Sequence, residues 1–305
     1  MHLRSLIIIC VLVCRPGIEI AHATTSLDTG FVARSVVFFF GADRAGHVQK
    51  GQQVATGFLI IVPNLAGQDT YPLIVTARHV VDPQWAGCQM PNPSRLFLRV
   101  NNMHYEAHQA ELGVSYLPVD LLHNGQPTWT RSDDDTVDVA VLRAPLELLS
   151  GQYDVRFLKV RNLGEPDEIA KLGVSSQTAS AGLVPGVEGE RRNNVVFHFG
   201  KIASLPEEPA VFHCRPGSPV KRLQVWWLAT TLVPGTSGSP IYFDPLFPPN
   251  SDISSGEPRA MLIGLQSLSV PGADLSGMTP SRLILDVITR AVPTDADLRL
   301  GLPQK

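Results

Sequence analysis

From residue 31 onward, short apolar runs alternate with clusters of Gly, Pro, Asn and Asp. The runs are rich in Val, Ile, Leu and Phe, which predicts β-strands joined by turns. Their regular punctuation favours an all-β sandwich or barrel over a doubly wound α/β sheet. The predicted strands lie within SVVFFF, QQVATGFLIIV, YPLIVTARHV, RLFLRV, DVAVLRA, NNVVFHFGKIASL, LQVWWLATTLV and AMLIGLQSLSV.

One segment near the C-terminus has helical rather than strand periodicity. PSRLILDVITRAV begins at Pro280, and its apolar positions recur at the spacing of a helix face. Proline is favoured in the first turn of a helix because its missing N–H would be unpaired there anyway. The pattern predicts a short amphipathic helix that packs against the strands.

The overall composition is that of an ordinary globular protein. The chain has 305 residues, of which 44% are apolar and 17% charged, with a formal net charge of -3. This length suits one or two domains or a pair of packed β-barrels. The charge gives no electrostatic reason to expect nucleic acid or an anionic membrane as a partner. Residues 145–165 carry no candidate chemistry, so we place the junction of two halves there, 24–150 and 151–305.

The first 23 residues have the pattern of a secretory signal peptide. Arg4 precedes a short apolar block, and Ala21 and Ala23 frame a small-x-small cleavage site. The block is shorter than the roughly 20 apolar residues that span a bilayer as a helix. A buried N-terminal helix or an uncleaved anchor is the alternative. We expect cleavage after Ala23, a secreted or periplasmic protein, and no stable membrane span afterwards.

Cleavage at that site would leave two cysteines, Cys88 and Cys214, because Cys10 and Cys14 would depart with the signal. Two cysteines outside the cell allow one intramolecular pairing. A disulfide and two buried free thiols both remain open, since the sequence does not show whether the Cα atoms come within bonding range.

Three separate stretches supply candidate groups for nucleophilic catalysis. In LVPGTSGSPIYF, glycines on both sides of Ser237 allow a tight turn and the close approach of a bulky group. A serine is a weak nucleophile, so it needs a base within hydrogen-bond reach and a third group that orients the base. His79 follows an apolar run, and Asp138 lies inside another, where a carboxylate is costly to bury unless it is paired. The chain order His79, Asp138, Ser237 is one of the known orders of a catalytic triad.

These segments together resemble the trypsin-like serine proteases, and within them the bacterial HtrA (Deg) type. TGFLI resembles the family's first-barrel strand, VTARHVV its histidine motif, DVAVL its aspartate motif and PGTSGSP its serine motif. LIGLQS and SGMTPSRLILDVI look like the strand that binds substrate backbone and the closing segment, so the resemblance covers about residues 31–292. It implies two packed six-stranded Greek-key β-barrels with a short C-terminal helix.

The resemblance also implies roles for individual residues. Ser237 would be the nucleophile, His79 the general base and Asp138 the group that orients the imidazole. The backbone amides of Gly235 and Ser237 would form the oxyanion hole. No metal or other cofactor is implied, and the partners would be protein or peptide substrates.

Two further residues would contact substrate or support the triad. Thr231 would lie at the base of the pocket that receives the side chain preceding the scissile bond. Ser267, in the strand that binds substrate backbone, would hydrogen-bond the triad aspartate. Because Thr231 carries no charge, we expect a neutral pocket for small or medium aliphatic side chains. Asp274 is the one acid in the opposing wall that would reverse this expectation by pointing inward.

The sequence departs from the family's pattern at two positions beside the nucleophile. Thr236 replaces the aspartate that receives a freed N-terminus in digestive enzymes, so we expect no activation of that kind. Ser239 replaces a glycine, so the turn there must accommodate a side chain. The residues after the predicted helix are too few for the PDZ domain that the HtrA type normally adds, and we expect none.

Three alternatives to a serine endopeptidase come from the same residues. A catalytically silent relative would use the cleft only to bind peptides, but it has no physical need for Asp138 in an apolar run. An esterase with this triad is disfavoured because the nucleophile elbow and residue order of α/β-hydrolases are absent. The segment HYEAH invites a metal site at His104, Glu106 and His108, but its spacing fits no zinc motif and indicates a solvated strand face.

Overall fold

A computed structural model describes residues 29–63, 69–88, 90–104, 113–214, 217–243, 261–270 and 272–292. The predicted signal peptide lies outside these ranges, and so does all of the HYEAH segment after His104, including Glu106 and His108. Everything that follows concerns the described residues.

The first half of the chain folds into one eight-stranded sheet. Eight strands belong to it, and β6 and β7 form a separate two-stranded hairpin. The bounds are β1 Val36–Ala42, β2 Val48–Pro63, β3 Asp69–Thr76, β4 Arg95–Asn101, β5 Val114–Asp120, β6 Leu122–His123, β7 Gln126–Pro127, β8 Trp129–Arg131, β9 Ala140–Arg143 and β10 Leu158–Lys159. The strand order is β5-β4-β1-β2-β3-β9-β8, with β10 parallel to β2.

The central position of strand β1 in the sheet explains why its sequence is continuously apolar rather than alternating. It pairs with β2 on one side and with β4 on the other, so it is central in the sheet. Phe38, Phe39 and Phe40 point to alternate faces, yet none is more than 1% exposed. Both faces of the strand are therefore covered, which a run of three phenylalanines satisfies.

The second half of the chain contains a closed barrel of six strands in the order β11-β12-β15-β18-β17-β16. Strands β13 and β14 form a separate hairpin beside it. The bounds are β11 Gln177–Gly182, β12 Val196–Ser204, β13 Ala210–Phe212, β14 Lys221–Leu223, β15 Trp226–Ala229, β16 Pro240–Phe243, β17 Met261–Val270 and β18 Leu275–Pro280.

The two halves share one circular strand order. When the six barrel strands of the second half are numbered along the chain, their order is 1-2-3-6-5-4, and the first half follows the same order. The first half differs because its fifth strand is split: β5 pairs with β4, whereas β8 pairs with β9. The hairpin of β6 and β7 separates the two pieces. The all-β, two-barrel class is thus confirmed, with the correction that no continuous ladder closes the first barrel among the described residues.

Four helices accompany the strands: α1 Thr29–Ser35, α2 Arg78–Val81, α3 Pro166–Ile169 and α4 Ser281–Ala291. The amphipathic helix predicted from Pro280 is confirmed as α4, whose residues Ile284, Val287 and Ile288 are fully buried. They join an apolar cluster that contains the core of the first sheet and also Leu262 and Leu265 of β17, so this C-terminal helix packs against both halves. No helix in the described ranges has the length and apolar character needed to cross a bilayer.

The segment between the halves returns to the first sheet before the second barrel begins. Strand β10 pairs with Ile60 and Ile61 of β2, although it lies beyond residue 150. The predicted division at 150 therefore falls inside a connecting segment that is partly integrated into the first sheet.

Candidate active site

The structure brings His79 and Asp138 into direct contact. His79 lies in α2, the single helical turn that begins two residues after β3 ends. Asp138 Oδ2 accepts a hydrogen bond from His79 Nδ1 at 2.8 Å, and Asp138 Oδ1 accepts one from the His79 backbone amide at 2.9 Å. The carboxylate is completely buried, so these two donors compensate its charge where water cannot.

The sequence placed Asp138 within a strand, and the structure corrects this. Strand β9 begins at Ala140, so Asp138 lies in the loop just before it. At this loop position the backbone is not paired in a strand ladder, and both carboxylate oxygens face α2.

The contact with Asp138 favours the protonated form of the His79 imidazole. Burial alone disfavours the imidazolium, but the negative charge of Asp138 and its hydrogen bond together outweigh burial and raise the pKa of His79 above its ordinary value. The His79 side chain is 19% exposed, which leaves one edge of the ring open to the cleft.

Ser237 lies in a tight loop between two residues of left-handed backbone conformation. Gly235 has φ +99° and Gly238 has φ +85°, a region that glycine adopts without steric cost. Thr236 donates from both its amide and its hydroxyl to Val233 O, at 3.2 and 2.6 Å. The side chain that replaces the expected aspartate thus stabilises its own turn.

Thr56 of β2 joins this loop to the first sheet. Its amide donates to Ser237 O at 2.9 Å, and its hydroxyl donates to Gly235 O at 2.9 Å. The same hydroxyl accepts a bond from the Leu183 amide at 2.9 Å. Thr56 O in turn accepts from the hydroxyl of Thr76, the last residue of β3, at 2.7 Å. Nothing in the TGFLI motif indicated that its threonine would make these contacts.

The loop also touches the segment that carries His79. A Cβ placed on Gly238 would lie 2.2 Å from Thr56 O, 2.4 Å from Thr76 Oγ1 and 3.1 Å from the amide nitrogen of Ala77. Only a glycine allows this approach, so the residue after Ser237 packs against the chain just before α2.

Not every expected contact of the nucleophile is formed. Among the described residues, no hydrogen bond joins Ser237 Oγ to His79. The amides of Gly235 and Ser237 likewise donate to no acceptor within the described ranges. Hydrogen bonds of catalytic groups are often long in unliganded enzymes and tighten on substrate.

The structure shows how the loop accommodates Ser239. This side chain is completely buried and faces Gly182 at the end of β11, where an added Cβ would lie only 1.9 Å from Ser239 Oγ. Position 239 has a side chain where the family has a glycine, and Gly182, which lies opposite, leaves the space that this side chain fills.

The residues expected around the substrate side chain are joined by hydrogen bonds. Thr231 is exposed, and its hydroxyl donates to Asp274 Oδ1 at 2.7 Å, so the acid of the opposing wall turns toward it. Ser276, which the sequence did not single out, is completely buried and connects the two walls. Its hydroxyl donates to Thr230 O at 2.9 Å and accepts from the Leu232 amide at 3.2 Å.

Ser267 does not make its expected contact with Asp138. Its Oγ pairs instead with Thr279 Oγ1 of β18 at 2.5 Å, and both hydroxyls are buried. The ladder between β17 and β18 is irregular between Gln266 and Leu268, the point at which Ser267 lies.

Cys88 and Cys214 form a disulfide with Cα atoms 5.2 Å apart. The bond connects the loop after α2 to the hairpin of β13 and β14, and so links the histidine segment to the second half. An ion-pair cluster lies beside it: Asp135 accepts from Trp85 Nε1 at 2.6 Å and from Lys221 Nζ at 2.7 Å.

A cavity of about 510 Å³ opens beside His79 on the side of the first sheet. Apolar groups of Val54, Met90, Pro93 and Leu96 contribute to its lining. In the described ranges, no three His, Cys, Asp or Glu side chains gather as they would around a metal ion.

Comparisons with known proteins give a likeness at the level of structure only. No protein-family model matches the chain, and no curated protein sequence matches it. The apo protease domain of MamO from Magnetospirillum magneticum aligns with 84% of this chain and 96% of its own, at 12% identity and a TM-score of 0.49. The Rv3671c protease of M. tuberculosis H37Rv, an inactive serine-to-alanine mutant, aligns with 87% of this chain and 89% of its own, at 14% identity and a TM-score of 0.43. At these values the likeness says nothing about activity.

The close packing of Ser239 against Gly182 leads to a testable prediction. Gly182→Ala should destabilise the protein by about 1–3 kcal/mol, because the new methyl overlaps Ser239 Oγ. Ser239→Gly removes that overlap, so the double variant should regain most of the loss. Denaturant unfolding of the two single variants and the double variant measures the coupling. Strictly additive changes in the free energy of unfolding would contradict this packing of Ser239 against Gly182.

Proposed function

We propose that the protein is a secreted or periplasmic serine endopeptidase that uses Ser237, His79 and Asp138. One observation carries the proposal: a completely buried carboxylate holds His79 by both its ring and its backbone. Because Nδ1 is engaged by Asp138, Nε2 is the nitrogen left to face the cleft. Burying a charge for structural purposes alone is costly, whereas orienting a catalytic base requires this arrangement.

The groups present support acyl transfer to a serine. Ser237 Oγ would attack the peptide carbonyl carbon as its proton passes to His79 Nε2. The imidazolium, stabilised by Asp138, would then give that proton to the leaving amine, producing an acyl-enzyme. A water molecule attacks the ester in the second half, again losing its proton to His79, and Ser237 is restored as the acid product leaves.

Two amides of the loop support an oxyanion hole. The amides of Gly235 and Ser237 have no acceptor among the described residues, so they could donate to the oxygen that becomes negative in the tetrahedral intermediate. Loss of one such donor costs roughly 2.7–4 kcal/mol in a well-studied serine protease. The bonds from Thr56 to the carbonyls of these two residues hold the peptide units that directly follow the two donors.

The same contacts support a shallow neutral pocket for the residue before the scissile bond. Ser276 bonds to the backbone on both sides of Thr231, which ties the two walls together and limits depth. The carboxylate of Asp274 bonds to the Thr231 hydroxyl but is exposed, so we propose that it stays hydrated at the rim beside Thr231 and does not compensate a substrate cation.

The peptide-binding alternative is separated from an enzyme by one reaction. A fluorophosphonate should react with Ser237, whose Oγ displaces fluoride from phosphorus, and intact mass should rise by one adduct. Ser237→Ala should take up none. Folded wild-type protein that stays unlabelled would identify a binding module.

The triad residues should act as a unit. Ser237→Ala and His79→Ala should each reduce peptide hydrolysis to about the same residual level, and the double variant should lose little more. The reason is that the serine has no activated form without the histidine. Steady-state kinetics on a fluorogenic peptide measure this, and losses that multiply would argue against the assignment.

The raised pKa of His79 gives a pH dependence of definite sign. Only the neutral imidazole accepts the Ser237 proton, so kcat/KM should fall as pH decreases through the His79 pKa, which lies above the ordinary value of about 6.5. Asp138→Asn removes the charge that raises this pKa. It should move the acid limb to lower pH and reduce the maximum rate by on the order of 10⁴-fold. An unmoved limb would show that another group is being titrated.

Cleavage-site profiling on a denatured proteome tests the pocket. We expect small or medium aliphatic residues before the cut, and Asp274→Asn should leave the profile unchanged. A preference for Lys or Arg that disappears in Asp274→Asn would instead place that carboxylate in the pocket, because a desolvated cation needs a charged partner.

A further inference from the structure

A long loop of the second half, residues 183–195, lies against the first sheet and reaches the nucleophile loop. Its Pro185 contacts Gly235: a Cβ placed on Gly235 would lie 2.8 Å from Pro185 Cγ. The middle of the loop turns sharply at Gly189, which has φ +79°. Several of its residues are exposed, so the body of the second barrel does not cover it.

A single arginine of the first sheet holds this turn. Arg99 of β4 is only 2% exposed and donates to three consecutive backbone carbonyls. Its Nη1 reaches Glu188 O at 3.2 Å, and its Nη2 reaches Gly189 O at 2.6 Å and Glu190 O at 2.9 Å. A buried guanidinium needs acceptors, and the loop supplies them with backbone oxygens.

Neighbouring polar contacts make the attachment reciprocal. Asn193 donates from its side-chain amide to Arg99 O at 2.9 Å, while its own backbone amide donates to Asn101 Oδ1 at 2.7 Å. The side-chain amide of Gln53 donates to the carboxylate of Glu188. The C-terminal part of β4 thus holds the loop, together with Gln53 of β2, which lies on the far side of β1.

We infer that Arg99 is a positioning residue that orders the oxyanion hole through the 183–195 loop. The chain of contacts runs from the Arg99 guanidinium to the carbonyls of 188–190, then to Pro185, and from Pro185 to Gly235, whose amide is a proposed donor. Thr236 has no carboxylate to receive an N-terminal ammonium, so the nucleophile loop needs another source of order. The anchor comes from a different half of the molecule.

The inference rests on the proposed function for its kinetic consequence, but its structural consequence is independent of it. Arg99→Met should increase hydrogen–deuterium exchange in peptides covering 183–195 and also in those covering 232–238. Gly189→Ala should do the same from the loop side, because its Cβ would lie 2.3 Å from Arg192 O and distort the turn. This second variant leaves the buried strand β4 unchanged if Arg99→Met fails to fold.

The kinetic arm uses the same variants at a temperature where each is fully folded. Arg99→Met should lower kcat by about 100-fold, the scale of losing one oxyanion donor, with KM changed by less than about threefold. Arg99→Lys keeps the charge but not the planar fork, so it should give an intermediate loss. The matched control is Arg143→Met, because Arg143 is an exposed strand arginine whose guanidinium lies over Tyr71. It should match wild type in both arms.

The outcomes separate the two proposals. Increased exchange at 232–238 in a protein that never labels with fluorophosphonate would support the anchor and contradict the endopeptidase. An active enzyme whose exchange at 232–238 and kcat are both unchanged by Arg99→Met and by Gly189→Ala would overturn the anchor. A loss of kcat that only follows a loss of folded protein would overturn it as well, because that result describes a purely structural arginine.

Discussion

The arrangement of the site depends on one buried residue, Thr56. Its amide and hydroxyl bond to two carbonyls of the nucleophile loop, and its carbonyl is bonded by the last residue of the strand that leads to His79. Its hydroxyl also accepts the Leu183 amide, at the start of the loop that Arg99 holds. His79, Ser237 and the 183–195 loop are therefore all held through this one residue. A shift of β2 relative to the second barrel would displace all three together.

The two halves are interlocked rather than merely adjacent. The helix α4 is last in sequence among the described elements, yet it completes the apolar core of the first sheet. Arg290 at its end pairs with Asp133, a few residues before Asp138. In the other direction, β4 of the first sheet supplies Arg99 to a second-half loop. Each half thus supplies residues that hold an element of the other half in place, as expected for a site formed at the boundary between them.

The sequence predicted well those features that depend on local pattern or on residue type. Apolar runs marked β1 to β4, β9, β12, β15 and β17, and the period of α4 marked the helix. Asp138 could be identified because a carboxylate within an apolar run is costly to bury unless it is paired, and His79 because it completed a known chain order with Asp138 and Ser237. Strand β11, QTASAG, carried no such signal, because its small residues are required by close packing, as at Gly182 against Ser239. Thr56, Arg99 and Ser276 are ordinary residues whose importance arises from partners far along the chain. The split fifth strand likewise reflects a hairpin insertion that hydrophobic periodicity does not register.

The disulfide between Cys88 and Cys214 has a consequence for chain integrity. It closes a ring of the chain whose two ends are 126 positions apart, and the exposed part of the 183–195 loop lies inside this ring. A single backbone cut in that loop would place His79 and Asp138 on one fragment and Ser237 on the other. The fragments would remain covalently joined as a nicked two-chain molecule. Such a molecule keeps the three side chains in one particle until the disulfide is reduced, so cleavage of the backbone and separation of the fragments are two distinct chemical events.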